Sequence, residues 1–256
     1  MKKIVFLSVI AVIAIRTNAM ETSPIKVMTG MEQSKEIYQP QSLKYLATLK
    51  LPAKSLENRP YFKDHANRIL ASIIKGLHRK KKKTDKEYQS GLAIIANLLD
   101  AGTDPNYFYP KWRMPILNNA LQCSKVYSEW QPITNIADQR FEIIELLLKK
   151  GANPNLKTAA MPQPFLFHVK KHKYLSWLFL HYDADPNTFD QGNTLLCDLA
   201  VYTNGEPVEL VKHLLEHGAD PRLRNADHET ALSLARKYNN HYIIPLLEEA
   251  MPKKLV

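Results

Sequence analysis

Five consecutive residues, His213-Leu214-Leu215-Glu216-His217, set two imidazoles four positions apart with a carboxylate beside the second. On a helix both rings would share one face, the arrangement that holds a zinc ion while the glutamate activates its bound water for hydrolysis. Zinc needs a third protein ligand, however, and Gly218 stops the helix at once. Leu214 and Leu215 also fall on the apolar positions of a recurring helix, so the plainer reading is a helix end without metal. A zinc-dependent hydrolase stays as the alternative, and stoichiometric zinc in the purified protein would revive it.

His168 and His172 are also four apart, but Lys170 and Lys171 between them oppose a divalent cation, which predicts a solvated helix face. Arg79 to Lys83 is a run of cations able to meet phosphates. No aromatic interleaves with it, and a solvated loop between two helices accounts for it. Gly-rich phosphate loops, Gly-x-Ser-x-Gly elbows and Cys-x-x-Cys pairs are absent from the sequence. The chain is therefore read as a non-enzyme with no catalytic residue, metal ligand or cofactor, and nucleic acid is not the favoured partner. A different kind of chemistry stands in Tyr107-Phe108-Tyr109-Pro110-Lys111-Trp112-Arg113, where aromatics and cations crowd into one short segment. Such side chains dominate protein-binding hot spots because they bury much area at low entropic cost.

The elements that must carry these residues show themselves by repetition. Leu98-Leu99-Asp100-Ala101-Gly102-Thr103-Asp104-Pro105-Asn106 returns as Leu147-Leu148-Lys149-Lys150-Gly151-Ala152-Asn153-Pro154-Asn155. It returns again as Phe179-Leu180-His181-Tyr182-Asp183-Ala184-Asp185-Pro186-Asn187 and as Leu214-Leu215-Glu216-His217-Gly218-Ala219-Asp220-Pro221-Arg222. A degenerate copy, Leu246-Leu247-Glu248-Glu249-Ala250, precedes Pro252, and the apolar pairs lie 49, 32, 35 and 32 residues apart. One turn upstream stand Ile94-Ile95, Ile143-Ile144 and Leu210-Val211, with Leu175 alone in the third copy, which makes an apolar stripe on each helix. The glycine supplies a left-handed helix stop, and the Pro three residues on forces a turn. Asp183 and Ala250 replace that glycine, which predicts a looser end for the third copy.

A second helix start follows each turn, clearest at Asn225 to Ala235 and next at Asp190 to Leu196. This pattern resembles the ankyrin repeat, with Leu-Leu-x-x-Gly-Ala-Asp closing the second helix and Gly-x-Thr-Pro-Leu-His-x-Ala opening the first. The closing half is well kept over about residues 90–250. The opening half is eroded: Thr survives at Thr194 and Thr230, Pro at Pro115 and Pro164, and the His position holds Leu117, Leu166, Cys197 and Ser233. The resemblance implies an all-α solenoid with short hairpin fingers and helical caps. It also implies stacking that leans on apolar burial, since the family's Thr and His hydrogen bonds are largely lost. A concave face of finger tips and first helices would then meet a protein partner through Tyr107, Phe108, Tyr109, Trp112, Arg113, Lys157, Phe189, Arg222 and Arg224.

The expected organisation is a signal peptide at 1–19, a partly ordered leader at 20–56 and capping helices at 57–104. Ankyrin-like repeats follow at 105–153, 154–185 and 186–220, with a capping repeat at 221–256. Long spacing in the first repeat places about sixteen extra residues near Cys123 to Asp138, which a loop absorbs at little entropic cost. Lys2 and Lys3, the apolar run Ile4–Ile15 and the small residues before a cut after Ala19 have the layout of a secretory signal, resembling those of bacteria. As a helix that run spans ~18 Å, short of a ~30 Å hydrocarbon core. Cleavage would remove three of the 35 basic residues and none of the 25 acidic ones, moving the net charge from +10 to +7. The expectation is thus a secreted or periplasmic monomer without a membrane span, binding a protein with an acidic surface as adaptor or effector. A purely structural periplasmic scaffold is the further alternative. Cys123 and Cys197 fall in different repeats, roughly 10 Å apart against the ~7 Å between Cα atoms that a disulfide allows, so both are expected as thiols.

Overall fold

The computed structural model describes residues 60–79, 85–109, 114–123, 140–157 and 162–251. The signal segment, the leader, Lys80 to Lys83, Trp112, Arg113 and the insertion beyond Cys123 lie outside them. Among the described residues the chain is mostly helical, with ten helices and four strands of two residues each. It divides into two compact units, one ending at Tyr109 and one beginning at Pro110.

In the first unit, α1 (Pro60–Arg79) packs on α2 (Asp85–Asp100), followed by β1 (Phe108–Tyr109). Ile69, Leu70, Ile73, Ile74 and Leu77 of α1 face Ile94, Ile95, Leu98 and Leu99 of α2 in a buried seam. Gly91 lets the two helices approach: a Cβ there would stand 2.5 Å from a Leu77 methyl carbon. The α2 end is fixed by Gly102 at φ 100° and by Asn67 of α1, whose Oδ1 accepts from the Asp104 N–H at 2.8 Å.

The second unit runs β2 (Met114–Pro115), α3 (Ile116–Cys123), α4 (Arg140–Lys149), α5 (Phe165–Val169), α6 (Lys173–His181), β3 (Phe189–Asp190), β4 (Asn193–Thr194), α7 (Leu195–Ala200), α8 (Val208–Glu216), α9 (Ala231–Lys237) and α10 (Ile244–Ala250). Helices pair as α3 with α4, α5 with α6, α7 with α8 and α9 with α10. The second members also touch in series, α4 to α6 to α8 to α10, while α7 lies along α9. The apolar pairs foreseen in the sequence are the core of this stack. Ile143, Ile144, Leu147, Phe179, Val211, Leu214 and Leu247 are essentially without solvent contact. Burying a side chain of this size contributes about 1.5–3 kcal/mol. Leu215 differs from the expected seam: it is half-buried, and its neighbour Leu214 takes the interior position.

Helix ends follow the glycine rule. Gly151 and Gly218 are left-handed, and in each case the next amide reaches back five residues: Ala152 to the Leu147 carbonyl and Ala219 to the Leu214 carbonyl, both 2.9 Å. Asp183 adopts the same conformation at φ 62°, and Ala184 closes the same bond to Phe179 at 2.9 Å. The expected loosening is therefore absent, because Asp is one of the few side chains that accept this backbone region at modest cost. One other expectation is corrected. His168 and His172 do not share a helix: α5 ends at Val169, and His172 precedes α6, its side chain accepting from the Leu175 amide. The last helix begins at Ile244, since Asn240 anchors a turn ahead of it and Pro245 fits only the first helical turn.

Candidate protein-binding surface

The finger residues are positioned from the helix starts outward. Thr194 caps α7, its hydroxyl accepting from the Cys197 amide at 3.2 Å. Thr230 caps α9 by accepting from the Ser233 amide, and the Ser233 hydroxyl accepts in return from the Thr230 amide at 2.8 Å. These caps hold the hairpin that enters each first helix. In one hairpin β3 and β4 pair antiparallel, Phe189 opposite Thr194 and Asp190 opposite Asn193, with Gln191 and Gly192 both at positive φ. In the next, Arg224 bridges Thr230, and the Asn225 carboxamide accepts from the Asp227 and Glu229 amides.

Consecutive fingers are tied tip to tip. The Ala226 amide donates to the Gly192 carbonyl at 2.8 Å, and Gln163 donates to the Asp190 carboxylate. At their bases runs a second tie: Asn155 donates to the Asp183 carbonyl and accepts from the Asp185 amide, both at 2.8 Å. Asn187 repeats this on Gly218 (2.9 Å) and Asp220 (2.7 Å). Asn155 and Asn187 were visible as recurrent letters after Pro; their side chains' reach into the following repeat was not.

The proposed contact residues fall into different situations. Phe189 is 43% exposed on its finger, and Lys157 is exposed in the turn that follows α4. Arg224 is exposed but donates to the His228 carbonyl at 2.6 Å, bracing its own hairpin. Arg222 forks onto Asp220 at 2.8 and 2.9 Å, so its charge is answered locally, and its donated bonds hold the Asp220 carboxyl below the usual range. In the first unit Phe108 is 40% exposed, whereas Tyr107 is half-buried with its hydroxyl 3.4 Å from Asp64 on α1. Burial, then the Asp64 charge, pushes that phenol up. Tyr109 is placed by its backbone in β1.

The His-x-x-Glu-His segment closes α8. His213 Nδ1 meets Glu216 Oε2 at 3.1 Å and His217 Nδ1 lies 2.8 Å from the His213 carbonyl, so both rings engage their own helix. Among the described residues no three His, Cys, Asp or Glu gather as a metal would require. Cys197 is a buried free thiol whose pKa burial raises.

The ankyrin-repeat family model matches residues 191–226. Its first residues and its last lie at the two finger tips joined by the Gly192–Ala226 bond, so the match spans one full structural period. Residues 191–226 are an ankyrin repeat. A search of curated proteins finds no match to the chain. Ankyrin repeats serve typically as protein-binding modules without catalytic groups, and among the described residues no helix is long and apolar enough to cross a membrane.

Proposed function

We propose that this chain is an exported, monomeric ankyrin adaptor or effector whose repeats form one solenoid and grip an acidic protein surface through its row of finger tips. The observation that carries the reading is the bonded row itself. Fingers fixed at tip and base present Phe189 and Arg224 on adjacent hairpins at little ordering cost to a partner. Lys157 in the turn that follows α4 adds a cation, and Phe108 offers a second exposed ring in the first unit. Export rests on the Lys2-Lys3 start, the apolar run and the small residues before Met20.

Affinity capture with the wild-type chain and with a Phe189→Asp/Arg224→Glu variant, both checked for equal melting, tests the surface. Partners recovered by the wild type and lost by the variant are expected, and equal recovery overturns the finger reading. Intact mass of the exported chain tests the signal: a mature start at Met20 is expected.

A further inference from the structure

The outer helices of three successive repeats can be compared position by position from their closing motifs. Where α4 carries Glu142, Glu145 and Lys149, and α8 carries Glu209, Lys212 and Glu216, α6 carries Tyr174, Trp177 and His181. A solvent-facing helix stripe is ordinarily polar, as α4 and α8 are. On α6 it is a row of rings: Tyr174 and Trp177 stack at 6.1 Å, and Trp177 and His181 at 5.2 Å with planes 12° apart. Trp177 is 39% exposed and His181 is exposed, and nothing in the finger surface uses them. The carboxylates of α4 flank one end. Glu145 Oε2 accepts from the Tyr174 hydroxyl at 3.1 Å, and Glu142 lies one turn back on the same helix.

We propose that the outer face of α6 is a second docking ridge, for a basic polypeptide segment whose arginine lies along Tyr174 and Trp177 and reaches Glu145 and Glu142. Arginine suits the ridge because its planar guanidinium stacks on aromatic faces while its fork meets carboxylates. Lys173 and Lys149 border the same stripe, while Glu145 holds the Tyr174 hydroxyl, and after burial its charge, followed by Tyr182 and Glu142, raises that phenol. A second copy of the chain is disfavoured by area, since a stable dimer buries roughly 800 Å² per partner. Three rings on one helix, each partly covered, fall well short.

The test is anisotropy of a labelled Arg-Ser repeat peptide titrated with the full chain, beside a Glu-Ser peptide of equal length. Arg-Ser binding weakened about tenfold by Trp177→Ala, and several-fold by Glu142→Gln/Glu145→Gln with a shallower salt dependence, is expected. Trp177→Phe, which keeps a ring, should retain most of it, and the Phe189→Asp/Arg224→Glu variant should bind like wild type. That last arm separates this ridge from the fingers. Arg-Ser binding that is absent or indifferent to Trp177 overturns the proposal, as does a concentration-dependent dimer abolished by Trp177→Ala in the absence of peptide binding. Matching melting curves for each variant keep a folding defect from imitating either result.

Discussion

Asn187 makes its two bonds to backbone groups of the following repeat, at Gly218 and Asp220. Replacing it with alanine removes a donor and an acceptor and leaves a carbonyl and an amide to water at the repeat boundary. A loss of about 1–3 kcal/mol is expected from urea unfolding. Asn155→Ala should cost a similar amount, because the bonding pattern is the same one repeat earlier. Thr230→Ala, which removes half of a reciprocal cap, should cost about 1 kcal/mol. Neither asparagine announced its task in the sequence beyond recurrence, since a hydrogen bond across some thirty residues depends on how tightly the units stack. By contrast, the buried leucines and isoleucines were legible as a stripe, with Leu215 the exception, because helical spacing decides which face they share.

At the scale of the element, the helix stops and caps were readable from letters and the fingers only in part. A glycine between polar residues marks a turn, but the demand on Gly192 is double. Its φ is +81°, and an added Cβ would stand 2.8 Å from the Ala226 Cβ on the next finger. Gly192→Ala is therefore expected to cost about 1–3 kcal/mol, combining backbone strain with the clash. Ala226→Gly in the same chain should relieve the clash and leave the strain, so a double-mutant cycle should show positive coupling. Full recovery or none would contradict that division. The histidine pair at 168 and 172 illustrates the opposite case. Its spacing suited one helix, yet the chain turns between them, because the first helix of this repeat is only one turn long before His172 caps the next.

For the molecule as a whole, pH and charge are the accessible handles. Burial holds His65 and His168 below their ordinary value of 6.5, in His65 with help from Arg68 and against a smaller opposing pull from Asp64, and in His168 against the pull of Asp190. The folded chain thus prefers both rings neutral, while the unfolded chain takes up protons near 6.5. Their contribution is complete above that value and declines as pH falls below it, until the folded rings' own lowered values are passed. Urea midpoints from about pH 7.5 to about pH 5 should fall, and a His65→Gln/His168→Gln chain should show a flatter profile over that window. Added zinc or a chelator should leave the wild-type melting curve where it is, since both imidazoles of the His-x-x-Glu-His segment already face partners on their own helix. A zinc-dependent rise would reopen the hydrolase reading. The net charge of +10 also has a location: acidic side chains slightly outnumber basic ones among the described residues, so the positive surplus sits in segments outside them. Composition alone spread that charge evenly over the repeats, which is why the fingers looked more basic than Arg222, bonded to Asp220, leaves them.

Arg222 stands where the two preceding repeats place Asn155 and Asn187, and the motif puts Pro252, a residue without an amide hydrogen, where Asp220 stands one repeat earlier. A copy of the stretch from Pro186 to Asp220 spliced in after residue 220 would bring both the asparagine and the Gly218 and Asp220 groups that it bonds, so each added unit should carry its own fastening.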